Sequence, residues 1–228
     1  MKKYGQQCPL ARALDVIGER WSLLVVRELL LGPRRYTDLL DGLPGIPTNL
    51  LASRLKELQA AGIVARRMLP RPTAVAVYEL TEIGRALRPA LAELRAWGQR
   101  YGPEPDEADA IQPAWVLLSG SGRPTGLPAG RTVELRIDTE SFQLGTDGSL
   151  LTVTGGPAPV PDATITMSAE TLYRLMTGET TSAPTLRQAT VDGDPDTARL
   201  AIDTLHGALT GTAGNDRDKG HHAPVRLT

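Results

Sequence analysis

The spacing of apolar residues shifts along this chain, and each shift predicts an element. Leu10, Ala13, Leu14 and Ile17 recur at helical spacing, opened by Cys8-Pro9 and ended by Gly18. A second helix is predicted from near Arg20 to Leu30. It is apolar on nearly every side, so it should lie buried, with Trp21 as a core anchor rather than a ligand stacker. Gly32-Pro33 stops it, and a short third helix is expected over Thr37–Leu40. A fourth helix starts at Pro47-Thr48, with Thr48 as its expected cap, and ends at Gly62. Ile63–Leu69 and Ala74–Leu80 are strand-like, with Pro70-Arg71-Pro72 at the turn between them. Thr81 then caps a long helix on which Leu87, Leu91, Leu94, Gly98 and Tyr101 alternate in steps of four and three. That is the seam of a coiled-coil-like contact, which predicts a dimerisation helix, helped by the first helix; packing on the second domain is the rival.

The pattern changes after an acidic, proline-containing linker, 103–112. Strands are predicted at Trp115–Leu118, Arg131–Ile137, Phe142–Leu144, Leu150–Thr154 and Ala163–Met167, with a last one over Leu186–Val191. Thr146-Asp147-Gly148-Ser149 is a hairpin turn signal. One helix begins at Ser168 and buries Leu172, Leu175 and Met176. A final one begins at Asp194-Pro195 and carries Leu200, Ile202, Leu205 and Leu209. The tail, 211–228, is expected to be disordered. The fold class is therefore mixed: a mainly-α winged helix-turn-helix domain, 1–102, then an α+β domain, 113–210, with an antiparallel sheet and helices on one side.

The fourth helix carries the informative chemistry. At about 100° per residue, Leu51, Leu55 and Leu58 fall within roughly 60° of one another. Asn49, Ser53 and Lys56 fall on the opposite face, with Ala52 beside them. A helix that hides leucines and shows small, hydrogen-bonding and cationic side chains suits the major groove of DNA. Polar outer faces are common in soluble proteins, so the neighbouring hairpin decides the reading. It places Arg66, Arg67 and Arg71 where a wing meets phosphates, which position a protein without reading sequence. Arg34 and Arg35 would stand at the edge of the same face.

Charge supports this division. Residues 1–102 hold 16 Lys and Arg against 9 Asp and Glu, a net +7; residues 103–228 hold 9 against 17, a net −8. The basic half suits a polyanion and the acidic half does not. Cys8 is the sole cysteine, which rules out an intrachain disulfide and fits a reducing cytoplasm. No signal peptide and no membrane span are expected.

Several motifs in one order make the first hundred residues resemble the HxlR family of bacterial winged-helix regulators, relatives of the MarR type. They are Cys8-Pro9, Ile17-Gly18-Glu19-Arg20-Trp21, Leu29-Leu30-Leu31-Gly32-Pro33-Arg34-Arg35-Tyr36, Arg54-Leu55-Lys56-Glu57-Leu58 and Tyr78-Glu79-Leu80-Thr81. The resemblance implies a dimeric DNA-binding transcription regulator. By position it assigns Thr48, Asn49, Ser53, Arg54 and Lys56 to the recognition helix, and Arg66, Arg67 and Arg71 to the wing. Tyr36 stands where the family carries phenylalanine, a change expected to matter little. Some members sense oxidants through a cysteine at the Cys8 position, so Cys8 is the candidate redox residue. Without a second cysteine, any disulfide must join two chains or a small thiol. A quiet, half-buried structural cysteine is the rival. The second half more loosely resembles the sterol carrier protein type 2 fold, through Ala163–Glu170 with Leu172, Gly178-Glu179 and Val191-Asp192-Gly193-Asp194. That implies a five-stranded sheet with helices around an apolar tunnel, hence a hydrophobic small-molecule effector. A filled core that only supports the dimer is the rival here.

Other chemistry is not expected. Asp192, Asp194 and Asp196 have the spacing of a calcium loop, but the sixth position is Thr197 rather than glycine, and a helix start explains them better. Gly120-Ser121-Gly122-Arg123 lacks the lysine of a phosphate-binding loop. No nucleophile–base pair, no metal cluster and no cofactor motif is present, so no enzyme is expected. The rival to a regulator is a small-molecule sensor or carrier whose winged helix docks a protein.

Overall fold

A computed structural model describes residues 3–70, 75–104, 106 and 111–210, with the backbone alone for 208–210. The chain divides into two compact units, 1–107 and 108–228.

The first unit contains α1 (Pro9–Ile17), α2 (Ser22–Leu29), α3 (Tyr36–Asp41), α4 (Thr48–Ala60), β1 (Val64–Met68), β2 (Ala76–Leu80), α5 (Glu82–Arg85) and α6 (Arg88–Tyr101). Its core is the apolar face of α2 against α4 and β2. Val25, Val26, Leu39 and Leu51 are wholly enclosed there, with Leu55 and Leu58 nearly so. β1 and β2 form an antiparallel hairpin from Val64 opposite Leu80 to Met68 opposite Ala76. Gly84 lets α5 press on this hairpin, because a Cβ there would run into the Ile63 carbonyl.

Three expectations change in this unit. Thr48 is the first helical residue of α4 rather than its cap. Extended Pro47 precedes it, and no side chain caps the helix. Trp21 is half-buried rather than a core anchor. It stands before α2 at φ 79°, a left-handed backbone that is costly for a large side chain, with the Arg20 guanidinium 5.7 Å from its ring centre. The long helix after Thr81 is two helices. Thr81 caps α5 as expected, accepting from the Gly84 N–H at 3.2 Å, but Pro89 has no N–H to continue the ladder, and α6 restarts at Arg88. Leu10 and Leu14 of α1 are exposed.

The second unit contains α7 (Pro113–Gly120), β3 (Val133–Ile137), β4 (Glu140–Thr146), β5 (Leu151–Gly155), β6 (Ala163–Met167), α8 (Ala169–Thr177), α9 (Ser182–Gln188), β7 (Thr190–Gly193) and α10 (Pro195–Thr210). The sheet runs β5-β4-β3-β6-β7. Val133, Leu135, Phe142, Leu144, Val153 and Ile165 share one face and are buried to within 1%. α10 covers β3, β6 and β7, and α7 covers β5. Arg136, Thr154 and Thr166 are exposed on the other face, which also holds a hollow of about 210 Å³ among Arg131, Thr132, Gln143, Gly145 and Thr152.

The sheet is not wholly antiparallel: β3 and β6 pair in parallel, Val133 opposite Ala163 through Ile137 opposite Met167. β3, β4 and β5 form a meander, and the 156–162 loop then brings the chain to the start of β3, where the Asp162 N–H donates to the Thr132 carbonyl at 2.8 Å, so β6 runs parallel to β3. Trp115–Leu118 is helical, within α7. A short, uniformly apolar run has no period to separate strand from helix, and Pro113 favours the helix start. The segment expected as the last strand divides into α9 and the shorter β7. Glu134 lies 2% exposed in mid-strand. Its carboxylate accepts from Arg136 Nε at 2.8 Å and from the Ala158 N–H at 3.3 Å, so the 156–162 loop crosses over it. Asp194 acts at a helix start: its carboxylate accepts from the Asp196 N–H at 3.2 Å and the Thr197 hydroxyl at 2.6 Å. The tail, 211–228, and the Arg71 turn lie outside the described residues.

Candidate nucleic-acid interface

α3, a short turn and α4 form the helix-turn-helix. Leu43 and Ile46 anchor the turn, 1% and 8% exposed, and Gly45 takes φ 82° between them. The three leucines of α4 face inward, which leaves Thr48, Asn49, Ala52, Ser53 and Lys56 exposed in one group. The Ser53 hydroxyl donates to Glu57 Oε1 at 3.1 Å.

Arg54 does not join that group. Its side chain is 12% exposed, and Nη1 lies 2.6 Å from Glu57 Oε2 and 3.7 Å from Glu19 Oε2. At about 100° per residue, Arg54 stands roughly 40° from Leu58, at the border of the buried stripe. That border position is a signal the sequence already contained.

The hairpin sorts its arginines. Arg66 is exposed opposite Tyr78. Arg67 is held by Glu79 through a forked pair, with Nε and Nη2 3.0–3.2 Å from the carboxylate oxygens. Arg34 bonds the other edge of Tyr78: its N–H donates to the Tyr78 carbonyl at 2.9 Å, and its carbonyl accepts from the Tyr78 N–H at 2.7 Å. This antiparallel pairing puts the Arg34, Tyr78 and Arg66 side chains on one side of the small sheet. Arg35 is exposed beside them, its N–H bonded to Asp38 at 2.8 Å. Arg27 is partly buried and paired with Glu28 at 2.8 Å, and burial pushes its guanidinium below its ordinary pKa against the pull of that carboxylate.

The helix-turn-helix regulator YodB of Bacillus subtilis is 37% identical over 95 residues, 41% of this chain and 85% of YodB. The HxlR-like helix-turn-helix family matches residues 16–106. The chain belongs to the HxlR-like helix-turn-helix family. Another B. subtilis relative named as a helix-turn-helix transcriptional regulator, YkvN, is 35% identical over 116 residues, half of this chain and 97% of that one. The reduced form of YodB superposes on 44% of this chain and all of that one, with 35% identity and a TM-score of 0.39.

In this HxlR-like unit, Leu87 and Leu91 are half-exposed on the face expected for dimerisation, and Leu94 and Tyr101 are 53% and 50% exposed. Sequence reasoning missed Trp97, 61% exposed on the same face, its ring centre 6.0 Å from that of Tyr101. The step from Leu94 to Trp97 to Tyr101 was the available signal. Cys8 is exposed immediately before α1. Among the described residues, no three His, Cys, Asp or Glu side chains could hold a metal, and no helix is long and apolar enough to cross a membrane.

Proposed function

We propose that this chain is a cytoplasmic, homodimeric DNA-binding transcription regulator. One observation carries the reading. In an HxlR-like unit, α4 buries three leucines and groups Thr48, Asn49, Ser53 and Lys56 outward, beside a hairpin that leaves Arg34, Arg35 and Arg66 available. In this reading α4 enters the major groove, and the arginines meet phosphates on either side. The exposed apolar faces of α1 and α6 support the dimer, and a dimer implies a palindromic site. Oxidant would reach the exposed Cys8, and any disulfide would leave the chain.

We assign effector binding to the sterol-carrier-like second unit, on the strength of a five-stranded sheet with one buried, largely apolar face. A hydrophobic effector would have to part that sheet from its helices, because Phe142, Leu135 and Ile165 already fill the space. This observation favours a second reading, in which the unit is a filled support for the dimer.

The test is a salt titration of the purified chain against duplexes it enriches from random-sequence DNA, with scrambled duplex alongside. Selective binding that weakens steeply with salt is expected. Equal binding to both duplexes would remove the regulator reading.

A further inference from the structure

Arg54 is the one cation of α4 that does not stand on its outer face, although the family motif puts it in the recognition helix. Its Nε and Nη1 are shut off from solvent and have no aligned hydrogen-bond acceptor. The charge is therefore offset by proximity to two carboxylates rather than by donated bonds. Glu57 belongs to the same helix. Glu19 does not: it stands in the corner between α1 and α2. Glu57 also accepts the Ser53 hydroxyl. Glu19, Arg54, Glu57 and Ser53 thus form one connected line from that corner to the exposed face of α4.

The three ionised groups sum to one negative charge. A phosphate approaching Arg54 would meet two carboxylates first. The same carboxylates hold the helix to its neighbour, a different task from holding DNA.

We propose that Arg54 is a positioning residue. It fixes α4 against the α1–α2 corner through Glu19 and orients Ser53 through Glu57, and phosphate contact falls to Arg34, Arg35, Lys56 and Arg66. This rests on the DNA-binding reading above. The two roles of an arginine separate by salt. A phosphate contact releases counterions and steepens the fall of log K with log salt by about 0.9 per contact, whereas an internal ion pair leaves that slope alone.

The probe is a duplex enriched from random-sequence DNA by the wild-type full chain, titrated at several salt concentrations beside a scrambled duplex. Glu19→Gln is the decisive variant, because Glu19 is exposed and its loss should not unfold the chain. Removing an acid from a DNA-binding unit should tighten binding by charge alone. The expected result is the reverse: the enriched duplex weakens by about two- to fivefold, and the scrambled duplex stays the same or tightens. Arg54→Met should weaken the enriched duplex without changing the salt slope, and adding Glu19→Gln to it should cost nothing more. Lys56→Ala should lower the slope by roughly one. A slope lowered by about one in Arg54→Met, undiminished affinity in Glu19→Gln, or equal losses on both duplexes would overturn the assignment. A wild-type chain that enriches no sequence would remove the DNA-binding reading and this inference with it.

Discussion

The Tyr36 hydroxyl donates to the Thr48 carbonyl at 2.6 Å, joining the first residue of α3 to the first residue of α4. The family resemblance, with a phenylalanine expected here, implied that this tyrosine matters little. The structure gives it a bond that phenylalanine cannot make, at the end of α4 that lacks a side-chain cap. Tyr36→Phe should therefore lower unfolding stability by roughly 0.5–1.5 kcal/mol, the usual net worth of one such bond. Urea denaturation measures it, and an unchanged midpoint would show that water replaces the bond at no cost.

The two hairpin arginines should behave differently. Arg66 is exposed and has no acid partner among the described residues, whereas Arg67 is forked onto Glu79. Arg66→Ala should reduce the salt slope of DNA binding by roughly one, uniformly across sequences. Arg67→Ala should change it less, because the phosphate would first have to displace Glu79. Equal slopes for the two variants would contradict the sorting.

The exposed face of α6 predicts the assembly state. Leu94, Trp97 and Tyr101 are each at least half exposed in the single chain. A contiguous apolar surface of this kind marks an interface. Trp97→Glu should give a folded monomer, since no core contact of the chain is lost. Sedimentation should show half the mass, with helical circular dichroism retained. A variant that stays dimeric would move the interface elsewhere.

These predictions draw on elements the sequence made legible to different degrees. Leu51, Leu55 and Leu58 are legible because an amphipathic helix repeats one signal over about two turns. Ala163–Met167 read correctly to both ends, since alternation within a short strand is equally plain. Trp115–Leu118 is apolar at every position and carries no alternation, so its pattern does not distinguish strand from helix. The parallel pairing of β3 and β6 depends on where the chain travels after β5, which no local pattern encodes. On α4, the family resemblance grouped Arg54 with the residues of the recognition face. Its angle beside the leucine stripe placed it with the core, and packing followed the angle.

Asp162 predicts how the second unit responds to acid. Its carboxylate accepts the Thr132 N–H at 2.8 Å and the Arg131 guanidinium, and its backbone carbonyl accepts the Asp194 N–H at 2.9 Å. It thus ties the starts of β3, β6 and α10 together. The Thr132 bond, then Arg131, holds the Asp162 carboxyl below the usual carboxylate range, and the Thr197 hydroxyl does the same first for Asp194. A carboxyl with a lowered folded pKa contributes stability that is complete above its unfolded value, about 3.9, and is lost as pH falls through the folded value. Wild-type stability should therefore hold from neutrality to about pH 4 and decline below it. Asp162→Asn should be less stable at pH 7, and its stability should fall less steeply below pH 4, so that the two curves converge in acid. Thermal unfolding across pH 2–7 measures this, and curves that stay parallel would show that the Asp162 charge does not stabilise the fold.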